Sequence, residues 1–325
     1  VIHNCPNISD TKTAFEILND LGADVISLKD YVTVRAKKLC NDKIPQDLMG
    51  RMRSSVMFLG AILARCGTAV ICNPGGCNLG ERPIDIHLRS LRRLGVRICE
   101  TNGCIFCSLG EKTAGEVTLL YPSVGATENI MLLCAGLDTS VRINNAAREP
   151  EIVDLQNFLN LMGADIRGAG TDVIKVRGVE KMHGCTYSII PDQIEAGSYM
   201  VAATITGGNV LIKNVIPKHL EPITSKLEKA GATIEEFDDS LRVYRTGDLE
   251  PLNIKTMPHP GFPTDMQPLM TVLLTLAKGT SIITEGIWEN RFRYVDELTR
   301  MGANIQVDGR VAVIEGVQEL LPAPM

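Results

Sequence analysis

Val153-Asp154-Leu155-Gln156-Asn157-Phe158-Leu159-Asn160-Leu161-Met162-Gly163-Ala164 places Val153, Phe158, Leu159 and Met162 at helical spacing and then stops at a glycine. The residue just past a helix favours a left-handed backbone, which a residue without a β-carbon adopts at little cost. The same ending recurs as Leu21-Gly22-Ala23, Leu94-Gly95-Val96, Ala230-Gly231-Ala232 and Met301-Gly302-Ala303, so the five glycines stand 73, 68, 68 and 71 residues apart. A near-constant period of this size is the mark of a repeated α/β unit of about 70 residues. Strands follow the stops, as in Asn304-Ile305-Gln306-Val307.

A second, more apolar helix is expected in each unit, over 53–64, 125–135, 195–205 and 265–277, each opening after a polar loop. Helices apolar on most sides belong in a core, and their N-termini offer free amides to anions. The turn signals from Tyr187 to Pro191 set the domain boundary, giving a first α/β repeat domain over 1–190 and a second over 191–325. Five helix stops against four buried-helix entries imply a chain cut at both ends.

A chain of 325 residues, 45% hydrophobic, has material for two cores. With 33 Lys and Arg against 38 Asp and Glu, and no basic run interleaved with aromatics, a nucleic-acid partner is not expected. The longest apolar stretch, 55–64, falls short of the roughly 20 residues that span a bilayer, so no membrane partner is expected either. Ten scattered cysteines without an export signal read as reduced thiols in a cytoplasm. Cys104-Ile105-Phe106-Cys107 has zinc-like spacing, but no second pair follows and the five histidines are dispersed, so no metal is expected.

The loop Pro74-Gly75-Gly76-Cys77-Asn78-Leu79-Gly80-Glu81-Arg82-Pro83 carries the chemistry. Its three glycines let a ligand approach the backbone, and Arg82 supplies a planar five-donor fork for phosphate or carboxylate. It lacks the Gly-Lys-Ser/Thr ending of a nucleotide-hydrolase loop. On residues alone Cys77 is either a buried structural thiol or a reactive one beside a cation, and Arg82 either a surface ion pair or an anion ligand.

This loop, continued by Ile84-Asp85-Ile86-His87, resembles the signature of the UDP-N-acetylglucosamine enolpyruvyl transferases. The resemblance extends through Met52-Arg53-Ser54-Ser55, Pro122-Ser123-Val124-Gly125-Ala126-Thr127, Asn145-Ala146-Ala147-Arg148-Glu149-Pro150, Phe262-Pro263-Thr264-Asp265-Met266-Gln267 and Glu289-Asn290-Arg291-Phe292. It implies a two-domain fold, an inside-out α/β barrel built from repeats. It also implies transfer of the enolpyruvyl group of phosphoenolpyruvate to the 3′-hydroxyl of UDP-N-acetylglucosamine with release of phosphate. No metal or organic cofactor and a cytoplasmic monomer go with it.

By the same resemblance Cys77 is the acid at the methylene carbon of phosphoenolpyruvate, and Asp265 the general base at the sugar hydroxyl, although position alone reads Asp265 as a helix cap. Arg82, Pro83, Ile84, Asp85 and Ile86 hold the uridine side, and Arg82 also meets the phosphoenolpyruvate anion. Arg53 contacts the nucleotide, Ser123 and Val124 cradle the diphosphate, and the Ile287 backbone touches the nucleotide. His87 reads as structural, and Glu149 and Glu151, two apart, cannot form a facing acid pair on a helix. Tyr121, Gln193 and Pro268 depart from the pattern; Pro268 is expected to bend the start of its helix. The family's terminal Lys-Asn and Arg/Asp contacts lie outside this sequence, so the 325 residues alone are expected to be inactive. The competing readings are transfer to shikimate phosphate and a sugar-nucleotide-binding paralogue without turnover.

Overall fold

All five glycines of the repeat have positive φ, between +91° and +109°. Each closes the same double hydrogen bond. In the first copy the Gly22 amide donates to Asn19 O and the Ala23 amide reaches back to Leu18 O; in the last, Gly302 donates to Thr299 O and Ala303 to Leu298 O. Gly95 and Val96, Gly163 and Ala164, and Gly231 and Ala232 repeat the pattern, satisfying carbonyls that the end of a helix leaves open. The stop read from sequence is a backbone device used five times.

The computed structural model describes residues 1–72, 75, 84–110 and 115–324, with five sheets and ten α-helices among them. The sheets share one order. In the third, Gly115–Thr118 pairs parallel with Ser140–Asn144, which pairs antiparallel with Val173–Arg177, which carries Asp165–Arg167 on its other edge. Asn253–Lys255, Thr280–Thr284, Val311–Glu315 and Asn304–Asp308 reproduce this order in the last sheet. Thr68–Cys72, Cys104–Ser108 and Arg97–Thr101 form a three-stranded version, as do Asn209–Lys213, Ser240–Tyr244 and Thr233–Glu236. In the first sheet the opening strand comes from far along the chain: Ile2 and His3 pair parallel with Tyr187 and Ser188.

The chain divides at Ile190 and Pro191 into two compact units, each with its own core. In the first, Leu59, Ile62 and Leu63 of Phe58–Cys66 and Ile130, Met131 and Leu133 of Val124–Ala135 are buried together. In the second, Met200 of Gln193–Thr206, Leu220 and Ile223 of Pro217–Lys229, and Met270 and Leu273 of Gln267–Leu274 do the same. Full burial of each such side chain is worth about 1.5–3 kcal/mol. The first core also needs one missing side chain: a β-carbon on Gly60 would stand 2.2 Å from Asn129 O, so Gly60 lets the two inner helices close on each other.

Three local readings change. The helices expected from Arg53 and Asp265 open as 3-10 turns, Arg53–Met57 and Thr264–Met266, and become α-helical only at Phe58 and Gln267. Pro268 therefore sits in the first turn of its α-helix, directly after the 3-10 turn, a place where proline is tolerated. The helix expected from Glu195 starts two residues earlier, because Asp192 accepts the Ile194 amide at 2.7 Å. The thiols are not all free: the register opposes Cys72 and Cys104, and these two form a disulfide.

Candidate active site

In the first unit the elements that carry Arg53, Ile84–Ile86 and Ser123–Val124 meet on one buried amide. Asn129 is fully buried in Val124–Ala135. Its Nδ2 donates to Val56 O at 3.0 Å and to His87 Nδ1 at 2.8 Å, while its Oδ1 accepts the Gly60 amide at 2.8 Å. Val56 lies in the turn that Arg53 opens, and His87 in the helix Asp85–Arg93, for which Ile84 is the N-cap residue. Ser123 caps Asn129's own helix, its Oγ accepting the Ala126 amide at 3.3 Å, and Val124 is that helix's first residue.

His87 is buried, and its pKa falls to about 4, first through burial and then through the Arg53 charge, against a smaller opposing pull from Asp85. A neutral ring accepting at Nδ1 fits the Asn129 donor, and the structural reading of His87 holds. Glu149 is the N-cap residue of Pro150–Leu161 and Glu151 lies in its first turn. Both act on Glu128, whose carboxyl is pushed up to about 8 by burial first, then by Glu151 and Glu149. Sequence reading compared only the two glutamates that are close in the chain and missed the third, on another helix.

In the second unit, Asp265 is not a cap; Pro263 and Met266 are the residues before the 3-10 turn and the helix. Its Oδ1 accepts from Arg291 Nη2 at 2.9 Å, with the Asp265 side chain 61% exposed and that of Arg291 only 11%. An exposed carboxylate is thus aimed by a largely buried cation, in reach of a ligand in solution. Gln267 Nε2 and Arg291 Nε are buried donors without a partner among the described residues. Gln267 Oε1 accepts the Tyr294 hydroxyl at 2.9 Å.

Ile287 is placed by Glu285, a residue 1% exposed. Glu285 Oε1 accepts the amides of Ile287 at 2.8 Å and Trp288 at 3.1 Å, and the Thr256 hydroxyl at 2.8 Å. The Thr264 hydroxyl lies 3.2 Å from Oε1 and 3.1 Å from Oε2. Asp265 and Ile287 are therefore brought together through Thr264 and Glu285, neither of which the sequence singles out. Cys77, Arg82 and Pro83 lie outside the described residues. Burial raises the pKa of Cys5, Cys66, Cys107 and Cys134, so none of these four thiols is activated. No His, Cys, Asp and Glu cluster suited to a metal occurs among the described residues, and no helix among them is long and apolar enough to cross a membrane.

Over 323 residues the chain is 48% identical to UDP-N-acetylglucosamine 1-carboxyvinyltransferase 1 of Carboxydothermus hydrogenoformans, covering 99% of this chain and 77% of that protein. The enzyme of the same name from Symbiobacterium thermophilum is 49% identical over 326 residues, covering 98% and 74%. Among solved structures, the enolpyruvyl transferase NikO from Streptomyces tendae superposes with a TM-score of 0.87 at 25% identity, over 97% of this chain and 75% of that one. An EPSP synthase from Acinetobacter baumannii, 21% identical, shares the fold with a TM-score of 0.70, over 98% and 76%. The family model of EPSP synthase (3-phosphoshikimate 1-carboxyvinyltransferase) matches residues 1–325. With the repeated α/β architecture, these likenesses show that the chain belongs to the EPSP synthase family and has the enolpyruvyl transferase fold.

Proposed function

We propose that this protein transfers the enolpyruvyl group of phosphoenolpyruvate to the 3′-hydroxyl of UDP-N-acetylglucosamine and releases phosphate, the committing step of peptidoglycan synthesis. The observation that carries the reading is the 48–49% identity, over nearly the whole chain, to relatives named for that carboxyvinyl transfer. The shikimate phosphate reading has the family model's description behind it. Arg82-Pro83-Ile84-Asp85 and the cysteine loop favour the sugar nucleotide.

In the proposed reaction Cys77 gives a proton to the methylene carbon of phosphoenolpyruvate, leaving the adjacent carbon electron-poor. The sugar 3′-hydroxyl adds there as Asp265 takes its proton. Loss of phosphate from that carbon, taking back the proton held by Asp265 as a methyl proton returns to the Cys77 thiolate, restores the double bond and resets both groups. Arg82 meets the phosphoenolpyruvate anion and the nucleotide, and Arg53, Pro83, Ile84, Asp85, Ile86, Ser123, Val124 and Ile287 seat the nucleotide. The protein is read as a cytoplasmic monomer of two domains, 1–190 and 191–325, working without a metal or organic cofactor.

Phosphate release by protein from the complete reading frame, with phosphoenolpyruvate and either acceptor, tests this. Release with UDP-N-acetylglucosamine and none with shikimate 3-phosphate is expected. The reverse preference overturns the assignment.

A further inference from the structure

Glu285 has no part in the reaction described above, yet it is the most heavily used buried carboxyl in the second unit. Four donors converge on it: the hydroxyls of Thr256 and Thr264 and the amides of Ile287 and Trp288. Thr256, itself fully buried, accepts the Gly286 amide at 2.7 Å on the same hydroxyl that it donates to Glu285. The turn after Glu285 is thereby folded back over its own side chain. Gly286 fits that turn because a β-carbon there would stand 2.3 Å from Thr256 O.

The donors come from three segments with different tasks. Thr264 immediately precedes Asp265, whose other restraint is Arg291. Ile287, assigned to the nucleotide, shares its turn with Trp288. Thr256 belongs to neither and anchors the carboxyl from below, its amide bonded to Thr284 O at 3.0 Å. One side chain therefore sets the distance between the group that acts on the acceptor hydroxyl and the backbone that seats the acceptor. A displacement of about 1 Å at such a contact can change a rate 100-fold.

We propose that Glu285 is a positioning residue for transfer, locking the Asp265 segment to the Ile287–Trp288 turn; this rests on the enolpyruvyl transfer reading above. Its two arms separate in kinetics. The Thr264 arm acts on turnover through Asp265, and the amide arm acts on acceptor binding. Glu285→Gln keeps an acceptor oxygen for the amides, and the Thr264 hydroxyl can turn to accept from the new NH₂, so it is the conservative variant.

The test uses protein from the complete reading frame. Steady-state phosphate release is measured for Thr264→Val, Glu285→Gln and Glu285→Ala, alongside emission and acrylamide quenching of Trp288, the single tryptophan. For Thr264→Val, kcat is expected to fall about tenfold while KM for the sugar nucleotide stays within about twofold. For Glu285→Ala, kcat falls and that KM rises, each about tenfold, and Trp288 becomes more quenchable. For Glu285→Gln, both constants stay within about threefold. Unchanged constants and unchanged Trp288 quenching in a folded Glu285→Ala protein overturn the proposal. So does equal loss in Glu285→Gln and Glu285→Ala, which would mark a proton-transfer role instead. If Glu285→Ala does not fold, the kcat-only effect of Thr264→Val decides, and its absence overturns the proposal. Wild-type protein that turns over neither acceptor overturns the transfer reading; the positioning proposal is then decided by Trp288 quenching across the variants.

Discussion

Arg291 is buried over most of its side chain and uses one guanidinium nitrogen to hold Asp265, while its Nε has no partner among the described residues. An exposed surface pair is worth about 0–1 kcal/mol, but a largely buried guanidinium loses less freedom in holding its partner. Arg291 therefore acts more on the aim of Asp265 than on stability. Arg291→Met is expected to lower kcat about tenfold with KM for phosphoenolpyruvate unchanged, read by steady-state phosphate release. An unaltered kcat would show that Asp265 needs no such holder. The Asp265–Arg291 pair was hidden in sequence because its partners are 26 residues apart and belong to different motifs. Asp265 is proposed as the base only through its motif; its position alone pointed to a cap that the backbone does not form.

At the scale of the element, the helix stops were legible because a left-handed residue accepts few residue types, so the requirement is written directly as glycine. Gly302 gives the cleanest measurement, having φ +92° and nothing within 4 Å of an added β-carbon. Gly302→Ala should cost about 1–2 kcal/mol from the backbone alone, seen as a lower urea midpoint. At Gly22 the added carbon would also stand 2.5 Å from Cys40 Sγ, so Gly22→Ala should be worse. Equal stability of Gly302→Ala and wild type would remove the left-handed stop as the reason for the repeat.

The two inner helix starts were less legible. A 3-10 turn and an α-helix share the same apolar pattern over one turn, and Thr264–Met266 differs from a helix only in its hydrogen bonds. Helix packing also sets a pH response. The Glu128 carboxyl has its folded pKa raised to about 8 from 4.5, so the stability it contributes is present below pH 4.5 and lost as pH rises toward 8. His87, lowered to about 4 from 6.5, contributes in the opposite sense, its stability being present above pH 6.5 and lost as pH falls toward 4. From pH 6.5 to 8 only Glu128 titrates of the two. The melting temperature should fall across that window, and Glu128→Gln should flatten the fall; the same slope in both proteins would remove Glu128 as its source.

Over the whole molecule, a period of about 70 residues announced the architecture, and five sheets of a common strand order now account for it. What no period could announce is the parallel pairing of Ile2 and His3 with Tyr187 and Ser188, because a two-residue strand leaves no pattern and its partner lies at the far end of the unit. The same holds for Asn129 and Glu285. Each is a single fully or almost fully buried polar residue that ties segments carrying the proposed site residues of its own unit, through contacts spanning from 2 to 73 residues of sequence. Repetition is local and readable, whereas a site is made by side chains that each occur once.

The central claim is that Cys77 and Asp265 carry enolpyruvyl transfer as acid and base. It is tested most directly by phosphate release from phosphoenolpyruvate and UDP-N-acetylglucosamine in the wild-type, Cys77→Ala and Asp265→Ala proteins from the complete reading frame. A loss of about 100-fold or more in kcat is expected in each variant, the range for removing a general acid or base. Turnover unchanged in both would contradict the account.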